Sequence, residues 1–153
     1  MMEQRMTHPA FVIPAAMDAL RAYSMPARKV GLPATTAAMV DLRASQINGC
    51  SVCVQLHADE MKKLGESDER IFAVAAWHDA PYFSDAERAA LALAEAVTRI
   101  ADQPDPVPDH IWAEASRHYD EQQLAALLIA ISGVNVWNRL NVATRQVAGA
   151  WKP

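Results

Sequence analysis

A chain of 153 residues is long enough for one domain with a core of its own. Its net charge of −4 and pI near 5.7 give no electrostatic basis for binding nucleic acid or an anionic membrane surface. Apolar residues make up 52%, aromatics only 7%, and there are five glycines, a balance that favours helices over sheet.

Residues 1–30 read as an N-terminal arm with one short helix, about Pro14 to Ser24, followed by Arg28-Lys29 in a solvated turn. The start, Met1-Met2-Glu3-Gln4-Arg5, lacks the apolar core of a signal peptide, since Phe11-Val12-Ile13 stops at Pro14. No run of ~18 apolar residues follows, so no membrane span is expected. Residues 31–153 then read as a single helical domain. Gly31-Leu32-Pro33 opens a helix with proline at its first position, where a missing amide costs nothing. That helix runs through Met39, Val40 and Leu42 and breaks at Asn48-Gly49. The next, Val52 to Leu64, ends at Gly65 in the manner of a left-handed cap. Ser67 caps a helix carrying Ile71, Val74 and Trp77. Ser84-x-x-Glu87 is a capping box opening an alanine-rich helix to about Ala101. Pro104, Pro106 and Pro108 punctuate a turn, and a short helix spans about Asp109 to His118. Asp120-x-x-Gln123 opens the last, in which Leu124, Leu127, Leu128, Ile131, Val134 and Trp137 recur at helical spacing towards Gly149. Gly133 marks close packing or a kink. No strand pattern, repeat or low-complexity tract appears, so the expected fold is all-α with about six to seven helices.

Both cysteines lie in Ser45-Gln46-Ile47-Asn48-Gly49-Cys50-Ser51-Val52-Cys53-Val54-Gln55-Leu56-His57. On a helix entered at Asn48-Gly49, with Asn48 as cap, the residues Cys50, Cys53, His57, Glu60 and Leu64 form one stripe. Thiolates attack peroxides and disulfides far better than thiols do, so such a site must lower a cysteine pKa. Unpaired amides at a helix N-terminus help, and an imidazole one turn on can take the proton. Cys50, at the helix end, is expected to be the more exposed thiol. Cys53 lies deeper, next to His57. A sulfenic acid on Cys53 condensing with Cys50 gives a disulfide, which a reductant must reopen. Two close cysteines without an export signal argue for reversible thiol chemistry in the cytoplasm rather than a structural crosslink.

The motif Ser-Gln-Ile-Asn-Gly-Cys-x-x-Cys-x-x-x-His, ending at His57, resembles the signature of alkylhydroperoxidase D-like (AhpD-like) proteins of the carboxymuconolactone decarboxylase superfamily. The resemblance extends through Leu64-Gly65-Glu66, Ala75-Ala76-Trp77, Glu87-Arg88-Ala89-Ala90-Leu91 and Asn135-Val136-Trp137-Asn138-Arg139-Leu140, from about residue 30 onward. It implies an all-helical bundle assembling as a homotrimer or homohexamer. The implied activity is thiol-dependent alkyl hydroperoxide reduction, an antioxidant peroxidase reaction without metal or organic cofactor. Cys53 would be the nucleophile, Cys50 the proton donor and resolving thiol, and His57 part of the proton relay. A lipoylated adaptor protein as reductant and a peroxiredoxin as partner are also implied. One departure stands out. The family pattern has a glutamate twelve residues before the first cysteine, where this chain has Ala38. Asp41, three residues on, is rotated roughly 60° around an ideal helix. Glu60, one turn beyond His57, reads first as a solvated surface charge and second as a local carboxylate that orients the imidazole.

Other readings stay open. Cys50 and Cys53 are consistent with small buried hydrophobes. With His57 they offer three zinc ligands, though no second ligand pair lies at the usual spacing. The dithiol is also compatible with a thiol–disulfide redox partner or sensor having little peroxide turnover. A lactone decarboxylase of the superfamily's other branch would have no need of the cysteine pair. Trp77, Trp112, Trp137 and Trp151 read as core or interface anchors, and Asn135, Asn138, Arg139 and Asn141 as polar residues of a subunit interface or of the pocket lining, the interface being the first reading.

Overall fold

The structure, a computed structural model, describes residues 3–150. Trp151 lies outside them. Eight α-helices succeed one another: α1 (Pro9–Val12), α2 (Pro14–Ser24), α3 (Ala34–Asn48), α4 (Ser51–Lys63), α5 (Asp68–Ala73), α6 (Asp85–Thr98), α7 (Asp109–His118) and α8 (Glu121–Thr144). There is no strand among the described residues. The fold is all-α, as the composition implies, and the helix beyond the expected six to seven is the single turn α1. There His8 accepts a hydrogen bond from the Ala10 amide. No helix among the described residues is long and apolar enough to cross a membrane.

Helix α3 is the axis of the bundle and packs against α4, α6 and α8. Met39, Val40, Leu42 and Ala44 are all buried, and they point to different sides of the helix. A helix apolar around its whole circumference must be enclosed, and α3 is. Its one side packs into a core of Val40, Leu93, Leu127 and Ile131, and the other into Met39, Leu42, Met61, Trp77 and Leu91. The 3-10 turn Pro26–Lys29 and α2 lie on α8, with Ala27 in the first of these cores. Tyr23 of α2 covers Gly133, where an added Cβ would stand 3.7 Å from the ring. Gly133 thus marks close packing.

The expected helix starts mostly coincide with real caps. Ser67 accepts from the Arg70 amide, and Ser84–Glu87 and Asp120–Gln123 form reciprocal capping boxes. Several boundaries differ. Helix α6 ends at Thr98 rather than near Ala101, where a separate 3-10 turn, Ile100–Asp102, follows. Pro33 is the N-cap of α3 rather than its first residue. Helix α5 tightens into a 3-10 turn at Val74–Ala76 before reaching Trp77. Helix α8 stops at Thr144, because Arg145 takes a left-handed conformation (φ 52°) and Gln146 is tied by its side chain to the Met6 carbonyl and Thr144 Oγ1.

The asparagines of α8 point inward. Asn48 Nδ2 donates to Asn135 Oδ1 and Asn138 Oδ1, both at 2.9 Å, and Asn138 Nδ2 donates to Ser45 Oγ at 3.0 Å. Asn135, Asn138 and Asn141 are buried, so an interface role does not describe them. They occupy positions i, i+3 and i+6, one stripe of amides facing the end of α3. Asn138→Ala would take the donor from Ser45 Oγ and the acceptor from one Asn48 N–H, and leave a cavity where a fully buried side chain stood. We expect urea unfolding to report a loss of about 3 kcal/mol. A change under ~0.5 kcal/mol, the level of an ordinary surface substitution, would contradict it.

Candidate active site

Gly49 fixes where the sulfurs lie. Its φ of 67° turns the chain out of α3, with the Cys50 amide donating back to the Ser45 carbonyl at 3.0 Å. Glycine adopts that conformation without the Cβ penalty other residues incur. Cys50 is then extended, and it caps α4 itself: its Sγ accepts from the Cys53 amide at 3.3 Å. Asn48, expected in that capping position, is committed to α8 instead.

Cys50 and Cys53 lie at disulfide-bonding distance, with Cα atoms 5.4 Å apart. Both are buried, 2% exposed each, so the expected difference in exposure between them is absent. Their surroundings differ in kind. Cys53 Sγ accepts from Asn141 Nδ2 at 3.3 Å. Cys50 lines a cavity of about 260 Å³ together with Ser51, Val142 and Arg145. Asn141 was not singled out by sequence as a sulfur ligand. The available signal was the three-residue spacing of amides along an otherwise apolar helix.

His57 follows Cys53 by one turn of α4. Its Nδ1 stands 3.3 Å from Glu60 Oε2 and 4.0 Å from Asp41 Oδ2. Glu60 is no free surface charge, since Arg28 Nη1 also donates to it at 3.2 Å. Arg28, read as part of a solvated turn, therefore reaches across 32 residues to the histidine's partner. Ala38 is buried in the apolar core beside Leu42 and Met61, so the carboxylates near His57 come from Asp41 and Glu60. Among the described residues, no group of three or more His, Cys, Asp or Glu side chains is arranged to hold a metal ion.

The two carboxyls are tuned in opposite directions. Burial pushes Asp41 up to about 6, with Glu60 adding to the shift and His57 and Arg28 opposing it. The hydrogen bond from His57 holds Glu60 below its usual value against the effect of burial, aided by the Arg28 charge. A carboxyl raised on folding binds a proton in the native state between pH ~4 and ~6 that the unfolded chain does not. Above pH 6 its buried charge therefore costs stability, by about 3 kcal/mol from a shift of this size. Asp41→Asn removes that charge. Its stability relative to the parent, measured by urea unfolding, should be more favourable at pH 8 than at pH 4. An equal difference at the two pH values would contradict the placement of a buried ionisable carboxyl there.

A second cavity, of about 270 Å³, lies on the other side of His57 and is bordered by Arg28, Asp41 and Glu60 at one end and by Leu32 and Trp137 along its walls.

Residues 14–96 match the model of the carboxymuconolactone decarboxylase family. The uncharacterised protein YdfG of Bacillus subtilis is 38% identical over 109 residues, 71% of this chain and 73% of that protein. YnjA of Escherichia coli, also uncharacterised, is 33% identical over 105 residues, 69% of this chain but only 56% of its own length. Among solved structures, one from Agrobacterium tumefaciens superposes with a TM-score of 0.89 at 30% identity, covering 97% of this chain and 100% of that one. It is a protein of unknown function for which the identity of antioxidant defence protein AhpD has been suggested. The debrominase Bmp8 shares the fold at 20% identity, with a TM-score of 0.80 over 92% of this chain and 74% of its own.

Proposed function

The chain belongs to the carboxymuconolactone decarboxylase family as an AhpD-like member, and on that premise we propose that it is a thiol-dependent oxidoreductase reducing organic hydroperoxides at Cys50 and Cys53. The observation that carries the reading is a sulfur pair within bonding distance, each member holding one hydrogen-bond donor, with an imidazole one turn away.

In the reduced protein the Asn141 amide donates to Cys53 Sγ and so favours its thiolate over its thiol. His57 accepts the proton. Its Nδ1 lies 3.3 Å from Glu60 Oε2 and 4.0 Å from Asp41 Oδ2. The Cys53 thiolate attacks the terminal peroxide oxygen, the O–O bond breaks, and the leaving alkoxide takes back the proton held by His57 to become an alcohol. Cys53 is now a sulfenic acid. Cys50 attacks its sulfur, the S–S bond forms, and the hydroxyl leaves as water. A dithiol reductant then attacks Cys50, the sulfur lining the cavity with Arg145, and the disulfide is reopened by exchange. The two electrons that reduced the peroxide thus come from that dithiol. A lipoylated adaptor protein, or exchange with a peroxiredoxin partner, fits this step.

Ala38 favours one second reading. With the family's glutamate position filled by a methyl group, the chain could exchange disulfides with a protein partner and turn over peroxide slowly. Adding cumene hydroperoxide to the reduced protein and following both cysteines by mass spectrometry separates the two. We expect rapid disulfide formation, abolished in Cys53→Ser, with a lasting sulfenic acid on Cys53 in Cys50→Ser. Asn141→Leu should slow the reaction about tenfold or more by removing the donor to sulfur. Oxidation by a protein disulfide but not by peroxide would replace the peroxidase reading with the redox-partner one. Thiols inert to both would end the thiol account.

A further inference from the structure

The cavity beyond His57 is built by absence. On α3, Ala34 and Ala37 face it one turn apart, and on α8 so do Ala126, Ala130 and Gly133. None has a side chain long enough to fill the gap between the two helices. The space, about 270 Å³, exceeds the ~150 Å³ that holds a benzene ring, and its walls are largely apolar.

Its polar end is unevenly satisfied. Arg28 and Glu60 pair with each other, and Glu60 also holds His57 Nδ1. Asp41 is left over. It is 7% exposed, its Oδ1 is buried with no hydrogen-bond partner, and its Oδ2 stands 4.0 Å from His57 Nδ1, beyond hydrogen-bond length. A buried carboxylate oxygen without a donor, bordering an apolar chamber, is costly unless something brings it one.

We propose that this chamber between α3 and α8 is a binding site for a small neutral molecule with an apolar body and a single hydroxyl, hydroperoxyl or N–H donor, which it presents to the Asp41 carboxylate. The shape selects a compact ring or branched chain, since small residues line both helices and leave no long groove. The charges disfavour an anion. Arg28 and Glu60 cancel each other, so an anion would meet Asp41 without compensation. Asp41 would then hold the donor group beside His57, on the helix that carries both sulfurs. The site does not depend on thiol turnover. It is formed in the disulfide state, and binding to the oxidised protein reads it alone.

Isothermal titration calorimetry on the oxidised protein at pH 8 tests this with three ligands of one body: 2-phenyl-2-propanol, its methyl ether, and the corresponding amine, protonated at that pH. The alcohol should bind about tenfold tighter than the ether, the value of one hydrogen bond to a charged acceptor. Asp41→Ala should abolish that preference, and Ala130→Phe, which fills the chamber, should abolish binding of both. Equal affinity for alcohol and ether in the parent, no binding of either, or a preference surviving in Asp41→Ala would overturn the proposal. Tenfold tighter binding of the ammonium than of the alcohol would overturn its neutral class. Failure of the protein to reduce peroxides would leave all of these outcomes unchanged.

Discussion

The side chain of Asn48 gives both of its amide hydrogens to carbonyl oxygens on α8, and most of what is chemical in this protein follows from that pair of bonds. They pin the last residue of α3 against the middle of the longest helix. Gly49 then has one residue in which to turn the chain, and Cys50 must cap the helix that follows. Because Asn135, Asn138 and Asn141 share one stripe, the register that satisfies Asn48 also delivers Asn141 to Cys53 Sγ. A buried amide ladder of this kind tolerates little slippage, since each displaced group would remain sealed from water. The fold and the sulfur environment are set by the same contacts.

A second consequence concerns the acid near the histidine. Position 38 points into the core between α3 and α4, where Met61 and Leu42 pack, and a methyl group belongs there. Three residues on, Asp41 lies on the side of α3 that meets His57 and the open chamber. An acid one turn along the helix therefore reaches the same imidazole from another angle, at 4.0 Å rather than in direct contact. Glu60 makes the nearer approach and is itself steadied by Arg28 from the N-terminal segment. The electrostatics around His57 are thus shared among three parts of the chain.

Much of this was legible from sequence, for reasons that were local. Ser84–Glu87 and Asp120–Gln123 are reciprocal caps whose two halves lie three residues apart, and Cys53 and His57 lie one turn apart on α4. What escaped depends on residues far apart in the chain. Arg28 looks solvated until Glu60, 32 positions later, is placed beside it. The amides of α8 suggest an interface until α3 is laid against them. Asn48 is a good N-cap by propensity, and it loses that position because two acceptors on α8 outcompete one local amide. Alanines read as helix formers give no hint that five small residues on two helices enclose a space.

Chemistry at the sulfur pair depends on the ionisation of Cys53. In the Cys50→Ser protein, where serine preserves the cap of α4 and leaves a single thiol, the thiolate absorbance near 240 nm can be followed against pH. A midpoint well below the ~8.5 of an unperturbed cysteine is what the Asn141 donor and an imidazole one turn along α4 predict. A midpoint at or above that value would mean that burial prevails over both, and would contradict the assignment of Cys53 as the attacking sulfur.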